Sequence, residues 1–250
     1  MSAPPQLRLP RLQVGRAEDR FRTAGVGVDT AHVFSFGAHY DPGRVGHGAL
    51  MVVNEEFLLA GRGFDDHPHA DAEILTWVAS GSLVHTDSTG RRGVVVPGLA
   101  QRLSAGSGVV HAERNDAWTS DPASRRVPVH FVQMWLRPDE PGTPPSYGQG
   151  QVDQAELARD WYPVASGAHP DAAVGLGSAG STLWVSVLAT GTARVLPSGP
   201  LAHLFVLRGE VDVEAVGALG AGDSLRVTGE AGLRVTAATE AELLVWTLQP

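Results

Sequence analysis

The chain has no cysteine. That excludes disulfides and thiolate metal sites, and leaves nitrogen and oxygen as the donors for any bound ion. No run approaches the ~20 consecutive apolar residues that a membrane helix requires. There is no basic tract, and the formal charge is −8, so direct binding to a phosphate backbone is not expected. The N-terminus, Met1-Ser-Ala-Pro-Pro-Gln-Leu-Arg-Leu-Pro, lacks the apolar stretch of a secretory signal. Together these absences set the expectation of a cytoplasmic protein that engages neither membrane nor nucleic acid.

What is abundant is glycine, 30 residues, and proline, 17 residues, in a chain of 250. Such a composition disfavours long helices and favours short strands joined by turns. Strand-like runs recur in the first half at His32-Val-Phe-Ser-Phe, Ala49-Leu-Met-Val-Val-Asn, Glu73-Ile-Leu-Thr-Trp-Val and Val127 to Leu136. Four prolines then fall within the eleven residues from Arg137 to Tyr147, which no helix or central strand tolerates. Gln154 to Arg159 is the best helix candidate. Strand-like runs return at Thr182 to Leu188, Leu201 to Leu207, Glu210-Val-Asp-Val and Ala241 to Leu248. Gly81 and Gly209 hold matching places between two such runs, so the halves read as two copies of one small barrel. The expected division is a first barrel over residues 1–140, a proline-rich linker with a short helix over 141–160, and a second barrel over 161–250. Residues 1–20 read as an extended arm.

Two pairs of possible metal ligands stand at a spacing of two, His67 with His69 and His111 with Glu113. In a strand, residues i and i+2 face one side, roughly 6.6 Å apart. Two such strands facing each other in a barrel would bring three imidazoles and a carboxylate to one point. Either pair alone is usually incidental; their joint occurrence in glycine-punctuated strands, 44 residues apart (111 − 67), is what carries the reading. Glu73, four residues after His69, is a second carboxylate candidate. Parity does not decide between it and Glu113.

The spacings resemble the two cupin motifs, matched here as Gly61…His67-x-His69…Glu73 and Gly108…His111…Asn115. A closer likeness runs through Ser35-Phe-Gly-Ala-His-Tyr-Asp-Pro, Gly63-Phe-Asp-Asp-His-Pro-His and His85-Thr-Asp-Ser-Thr-Gly. It continues in Ser104-Ala-Gly-Ser-Gly-Val-Val-His-Ala-Glu, His130-Phe-Val-Gln-Met-Trp-Leu and Pro144-Pro-Ser-Tyr. These segments resemble the pirin family. The resemblance implies an all-β fold of two tandem cupin (jelly-roll) barrels with few short helices. It implies one divalent transition metal in the first barrel, Fe(II) foremost, with Mn, Co, Ni, Cu or Zn as other candidates. The ligands it implies are His67, His69, His111 and Glu113, which leaves Glu73 behind the ligands or as a general base beside Glu113.

The activity implied is that of a quercetin 2,3-dioxygenase, an oxidoreductase that opens a flavonol with O₂. The rival implication is a non-enzymatic, metal- and redox-sensing partner of a transcription factor or metabolic enzyme. The expected ligands are thus a small aromatic, flavonol-like substrate or a protein partner, and the expected state is a monomer. Phe64, Leu75 and Trp77 are candidates for the pocket wall or the packing beneath it, with core the expected role of Trp77. Asp65 and Asp66 stand where the family commonly has small or apolar residues; at a pocket mouth they would repel anionic ligands and raise the pKa of Glu113. His32, His39, His47 and His130 read as structural and His85 as solvent-facing. His169 and His203 have no partner at a spacing of two, so the second barrel is expected to bind no metal. Neutral imidazole is the ligating form, which predicts loss of metal as the pH falls through about 6.

Overall fold

Apolar and polar residues alternate along short runs, which suits a half-buried pleat, and glycine or proline ends each run. The computed structural model describes residues 10–116 and 127–250, and its regular structure is nearly all β. In chain order come β1 (Arg11–Gly15), β2 (Phe21–Gly25), β3 (Val28–His32), β4 (Leu50–Leu58), β5 (Gly63–His69) and β6 (Glu73–Ser80). Next are β7 (Leu83–Asp87), β8 (Arg92–Val95), β9 (Leu99–Ser104), β10 (Val109–Arg114), β11 (Val129–Leu136) and β12 (Ser146–Gln151). The helix α1 (Gln154–Arg159) follows, where the sequence predicts one. Asp153 caps it by accepting from the Ala155 amide at 2.9 Å. The second half holds β13 (Tyr162–Ser166), β14 (Val174–Gly175), β15 (Thr182–Leu188), β16 (Ala193–Val195) and β17 (Leu201–Arg208). It ends with β18 (Glu210–Val213), β19 (Gly217–Gly220), β20 (Ser224–Thr228), β21 (Arg234–Ala237) and β22 (Ala241–Leu248). Among the described residues no helix is long and apolar enough to cross a membrane.

Each half pairs a seven-stranded sheet with a four-stranded one. The first uses β12-β9-β6-β11-β4-β3-β2 and β5-β10-β7-β8; the second uses β1-β20-β17-β22-β15-β13-β14 and β16-β21-β18-β19. Read along the chain, the orders superimpose strand for strand from β4 and β15 onward, so the repeat expected from the sequence is present in the topology. Gly81 (φ 79°) and Gly209 (φ 80°) make the matching left-handed corners. In each, an added Cβ would press on the backbone of the strand behind, at Pro128–Val129 and at Glu240–Ala241.

Strand membership crosses the expected division at both ends. β1, within the anticipated arm, lies on the second barrel, with Arg11 opposite Thr228 and Gly15 opposite Ser224. β12, within the anticipated linker, lies on the first barrel, with Tyr147 opposite Leu103. The prolines end at Pro145, so Ser146–Gln151 is free to extend along an open edge.

The barrels meet through their large sheets. Leu75 and Trp77 of β6 and Met134 and Leu136 of β11 pack with Phe205, Leu207, Leu244 and Trp246 of the second half in one buried cluster. Trp77 Nε1 donates to Glu242 Oε1 at 2.7 Å and Trp246 Nε1 to Met134 Sδ at 3.2 Å. Leu75 and Trp77 therefore belong to the core between barrels and not to a pocket wall.

Candidate metal centre

β5 and β10 run antiparallel, with His111 opposite His67 and Val109 opposite His69. Between His111 and Glu113 the register slips, and Glu113 comes to lie opposite Phe64. The slip is a bulge: Asp65 and Asp66 face a single residue, Ala112, across the pair. An extra residue shifts side-chain parity by one, so Phe64, His67 and His69 all face inward. Gly63 permits the close approach at the bulge, because a Cβ there would overlap the Glu113 carbonyl.

Three imidazoles thereby converge. Ring centroids lie 4.4 Å apart for His67 and His111, 4.8 Å for His67 and His69, and 4.9 Å for His69 and His111. One nitrogen from each ring falls within 4.8 Å of the others. Glu113 joins His111 and His85 in a second such group, and it lines the same cavity as His67 and His69. The expected ligands are thus gathered in one place by two adjacent strands.

Glu73 is not. Along β6 it shares parity with Leu75 and Trp77, which face the second barrel, and its Oε2 accepts from the Gly177 amide at 3.0 Å. Continuity of parity from His69 fails because the chain turns between β5 and β6, with Asp71 at φ 49°. The role expected of Glu73 beside the metal ligands therefore has no place in this geometry.

A buried polar atom without a partner is costly. Three of them cluster here: His69 Nε2, His111 Nε2 and Glu113 Oε1. The second oxygen of Glu113 is held by Gln133 Nε2 at 2.6 Å, and Gln133 in turn accepts from Trp135 Nε1 at 2.9 Å. His67 Nδ1 lies 2.7 Å from the Asp65 carbonyl, a bond that only its N–H can make, so its lone pair is on Nε2. Four donor atoms are thereby left without protein partners or with a free lone pair, as a three-nitrogen, one-oxygen set for a divalent transition ion requires. The residues fit the group.

Burial also sets their charge. It lowers the pKa of His111 to about 2 and that of His69 to about 4, with the neighbouring imidazoles adding to the shift. It raises Glu113 to about 7, against the hydrogen bond from Gln133. His69 and His111 are therefore neutral, ligating bases well below pH 6. Glu113 therefore takes up its proton before His69 or His111 as the pH falls.

Asp65 and Asp66 are exposed and lie outside the cavity. Asp65 pairs with Arg114, which offsets its charge. The raised pKa of Glu113 comes from burial and not from a pair of carboxylates at a mouth.

The cavity itself, about 350 Å³, opens over these donors. Phe64, Phe36 and Trp135 supply its aromatic walls, and Trp135 stands edge-on to His69 with centroids 4.7 Å apart. Its lining also includes Thr30, His32, Asn54 and Glu56. Glu56 accepts from Thr30, yet burial still raises its pKa to about 8. His32 is hydrogen-bonded to Asn54 and to Thr23, both at 2.8 Å. It is thus structural, as expected, and part of the cavity as well. The signal for these residues in the sequence is partial. Thr30 and His32, and Asn54 and Glu56, are polar pairs at a spacing of two, but Asp29 and Glu55 break the alternation, so pattern alone does not mark the inward face.

Of the other histidines, His130 meets Glu55 Oε1 at 2.8 Å and stacks on Phe57, and His47 bonds to the Val227 carbonyl at 3.0 Å. His85, expected to face solvent, is fully buried beside His111. His169 stands against Trp184, while His203 is buried against Phe34.

Two β-barrels in tandem, the first holding inward-facing imidazole and carboxylate donors under an aromatic cavity, define a cupin-type metal-binding protein. Comparison with known proteins agrees. The family model described as Pirin matches residues 15–136. A Mycobacterium tuberculosis protein provisionally named quercetin 2,3-dioxygenase is 42% identical over 236 residues, 94% of each chain. The quercetin 2,3-dioxygenase of Escherichia coli K12 is 30% identical over 240 residues, 94% of this chain and 97% of its own. The crystal structure of the bacterial pirin YhhW from Escherichia coli in complex with nickel(II) superimposes with a TM-score of 0.85 at 29% identity, covering 96% of this chain and all of that one. The chain belongs to the pirin family.

Proposed function

We propose that this pirin is a dioxygenase that cleaves flavonols, using iron(II) held by His67, His69, His111 and Glu113. The observation that carries the reading is the set of buried donor atoms without protein partners, His69 Nε2, His111 Nε2 and Glu113 Oε1, at the base of an aromatic-walled cavity. The names of the relatives from Escherichia coli and Mycobacterium tuberculosis support the substrate class. When bound, such an ion supplies Lewis acidity and a route for electrons between substrate and dioxygen.

The chain's own part is binding and orientation. Phe64, Phe36 and Trp135 offer flat apolar faces for a planar aromatic ligand. Thr30, Asn54 and Glu56, in the same lining, offer hydrogen bonds to its hydroxyl groups. Gln133 fixes Glu113 Oε2, so Oε1 is the oxygen left to ligate the ion. In the metal-free protein burial raises its pKa to about 7, so binding of the ion near neutral pH displaces a proton from this carboxyl. Glu73 takes no part.

Anaerobic reconstitution with iron(II), followed by loss of flavonol absorbance and release of carbon monoxide on admitting O₂, tests the proposal. Turnover that disappears in His111→Ala is the expected result. Tight capture of a protein partner with no turnover across a flavonoid panel would replace it with the regulatory reading.

A further inference from the structure

His85 sits on β7, opposite Glu113 of β10 in the strand register, with its side chain fully buried. Both of its nitrogens are engaged. Nε2 lies 3.0 Å from Asp87 Oδ2, and Nδ1 lies 3.4 Å from Nδ1 of His111. The Tyr147 ring stacks on its face at 4.9 Å, and the Tyr147 hydroxyl donates to Gln101 at 2.8 Å. Asp87 is itself fixed at its other oxygen: Oδ1 accepts from the Thr89 amide at 2.9 Å, the Thr89 hydroxyl at 2.6 Å and the Arg91 amide at 3.2 Å.

The direction of the chain of bonds follows from its end. An ionised carboxylate only accepts, so the hydrogen between Asp87 and His85 belongs to His85 Nε2. The neutral ring then has its lone pair on Nδ1, where it can only accept the hydrogen of His111 Nδ1. His111 is left with its lone pair on Nε2, the buried atom without a protein partner that faces His67 and His69. The Asp65 carbonyl does the same for His67 in a single step.

We infer that Asp87 and His85 are positioning residues that act through the ring of His111, holding its ligating tautomer and orientation and thereby setting the affinity of the centre for metal. The inference rests on the proposed ligand set but not on the flavonol reaction. His85 does not serve as a ligand of its own, because neither nitrogen is free.

Asp87→Asn is the sharpest variant, since it changes no volume. The three donors on Oδ1 require an oxygen there, so the amide nitrogen takes the place of Oδ2 and donates to His85 Nε2. His85 must then carry its hydrogen on Nδ1, and His111 must move its own to Nε2. In ¹⁵N-histidine NMR of the metal-free protein, His111 is expected to bear its hydrogen on Nδ1 in the wild type and on Nε2 in Asp87→Asn. Calorimetric titration with nickel(II) is expected to show affinity roughly 10- to 100-fold weaker in Asp87→Asn. His85→Phe, which keeps the stacking on Tyr147 and loses both nitrogens, is expected to fall in the same range while unfolding cooperatively on heating. A wild-type His111 with its hydrogen on Nε2, or an Asp87→Asn protein that binds nickel(II) as tightly as wild type, overturns the inference whether or not any flavonol is turned over.

Discussion

The two barrels share a strand order and differ in what fills them. The fourth residue after the corner glycine is His85 in the first (81 + 4) and Val213 in the second (209 + 4). Across the neighbouring strand His85 faces Glu113, and Val213 faces Val235. Five residues before the same glycines, Thr76 pairs with Gln133 and Leu204 with Val245. His85, Glu113 and Gln133 thus correspond to three valines, each almost wholly buried. One interior is a polar cavity with donors that lack partners; the other is a packed aliphatic core built on Val206, Val211, Val235 and Leu243. The scaffold is indifferent to which it holds, because both are inward faces of the same sheets. Function here is a set of side chains and not the fold.

The comparison breaks most visibly if the contents are exchanged. Val235→Glu would bury a carboxylate among aliphatic neighbours and is expected to cost more than about 3 kcal/mol in thermal unfolding. The reverse change, Glu113→Val, is expected to leave the metal-free protein within about 1 kcal/mol of wild type, since it removes a costly acid and one hydrogen bond together. Equal losses from both changes would show that the barrels are not interchangeable frames.

Next in size is the centre itself. His111→Ala is expected to weaken nickel(II) binding by more than about 100-fold, with little change in the unfolding of the metal-free protein. A third expectation concerns pH. With Glu113 raised to about 7 and His69 held at about 4, metal affinity should fall about tenfold per unit below pH 7 as one carboxyl takes up its proton. A further loss from protonation of His69 begins only near pH 4. The metal-free chain behaves in the opposite sense as regards Glu113. Its raised pKa contributes stability that is present below the ordinary value of 4.5 and is lost as pH rises through about 7. The lowered His69 and His111 contribute stability present above 6.5, which is lost as pH falls toward about 4 and then about 2. Unfolding midpoints of metal-free wild type and Glu113→Val between pH 5 and 8 separate the two: the variant should lack the decline on the alkaline side. The smallest effect is expected from Asp65→Ala with Asp66→Ala, which should alter flavonol turnover by less than about twofold, because both side chains are solvent-exposed and one is already paired.

Much of this was legible in the sequence. Alternation and glycine spacing marked the strands, the repeat and the site of α1, and spacing by two marked both ligand pairs. What could not be read was which sheet face a strand turns inward. Glu73 and Leu75 look like pocket residues until β6 is seen to press that face against the second barrel, whereas Trp77 lies in the core as expected. The bulge opposite Ala112 was equally hidden, since a single extra residue reverses parity without altering composition. His85 beside an apparent turn suggested solvent, yet Asp87 closes that turn with its own carboxylate and buries the ring. Each failure concerns pairing between distant segments, which local pattern does not encode.

The crossing of β1 onto the far barrel has a consequence for how the molecule is made. β1 finds its neighbours, Ser224 to Thr228, more than 200 residues later in the chain (224 − 15 = 209). The first barrel draws all its strands from residues 21–151 and can close as soon as these are made, whereas the second must wait for β20 to receive β1. The second barrel is therefore expected to close last, on a strand made before any of the first barrel.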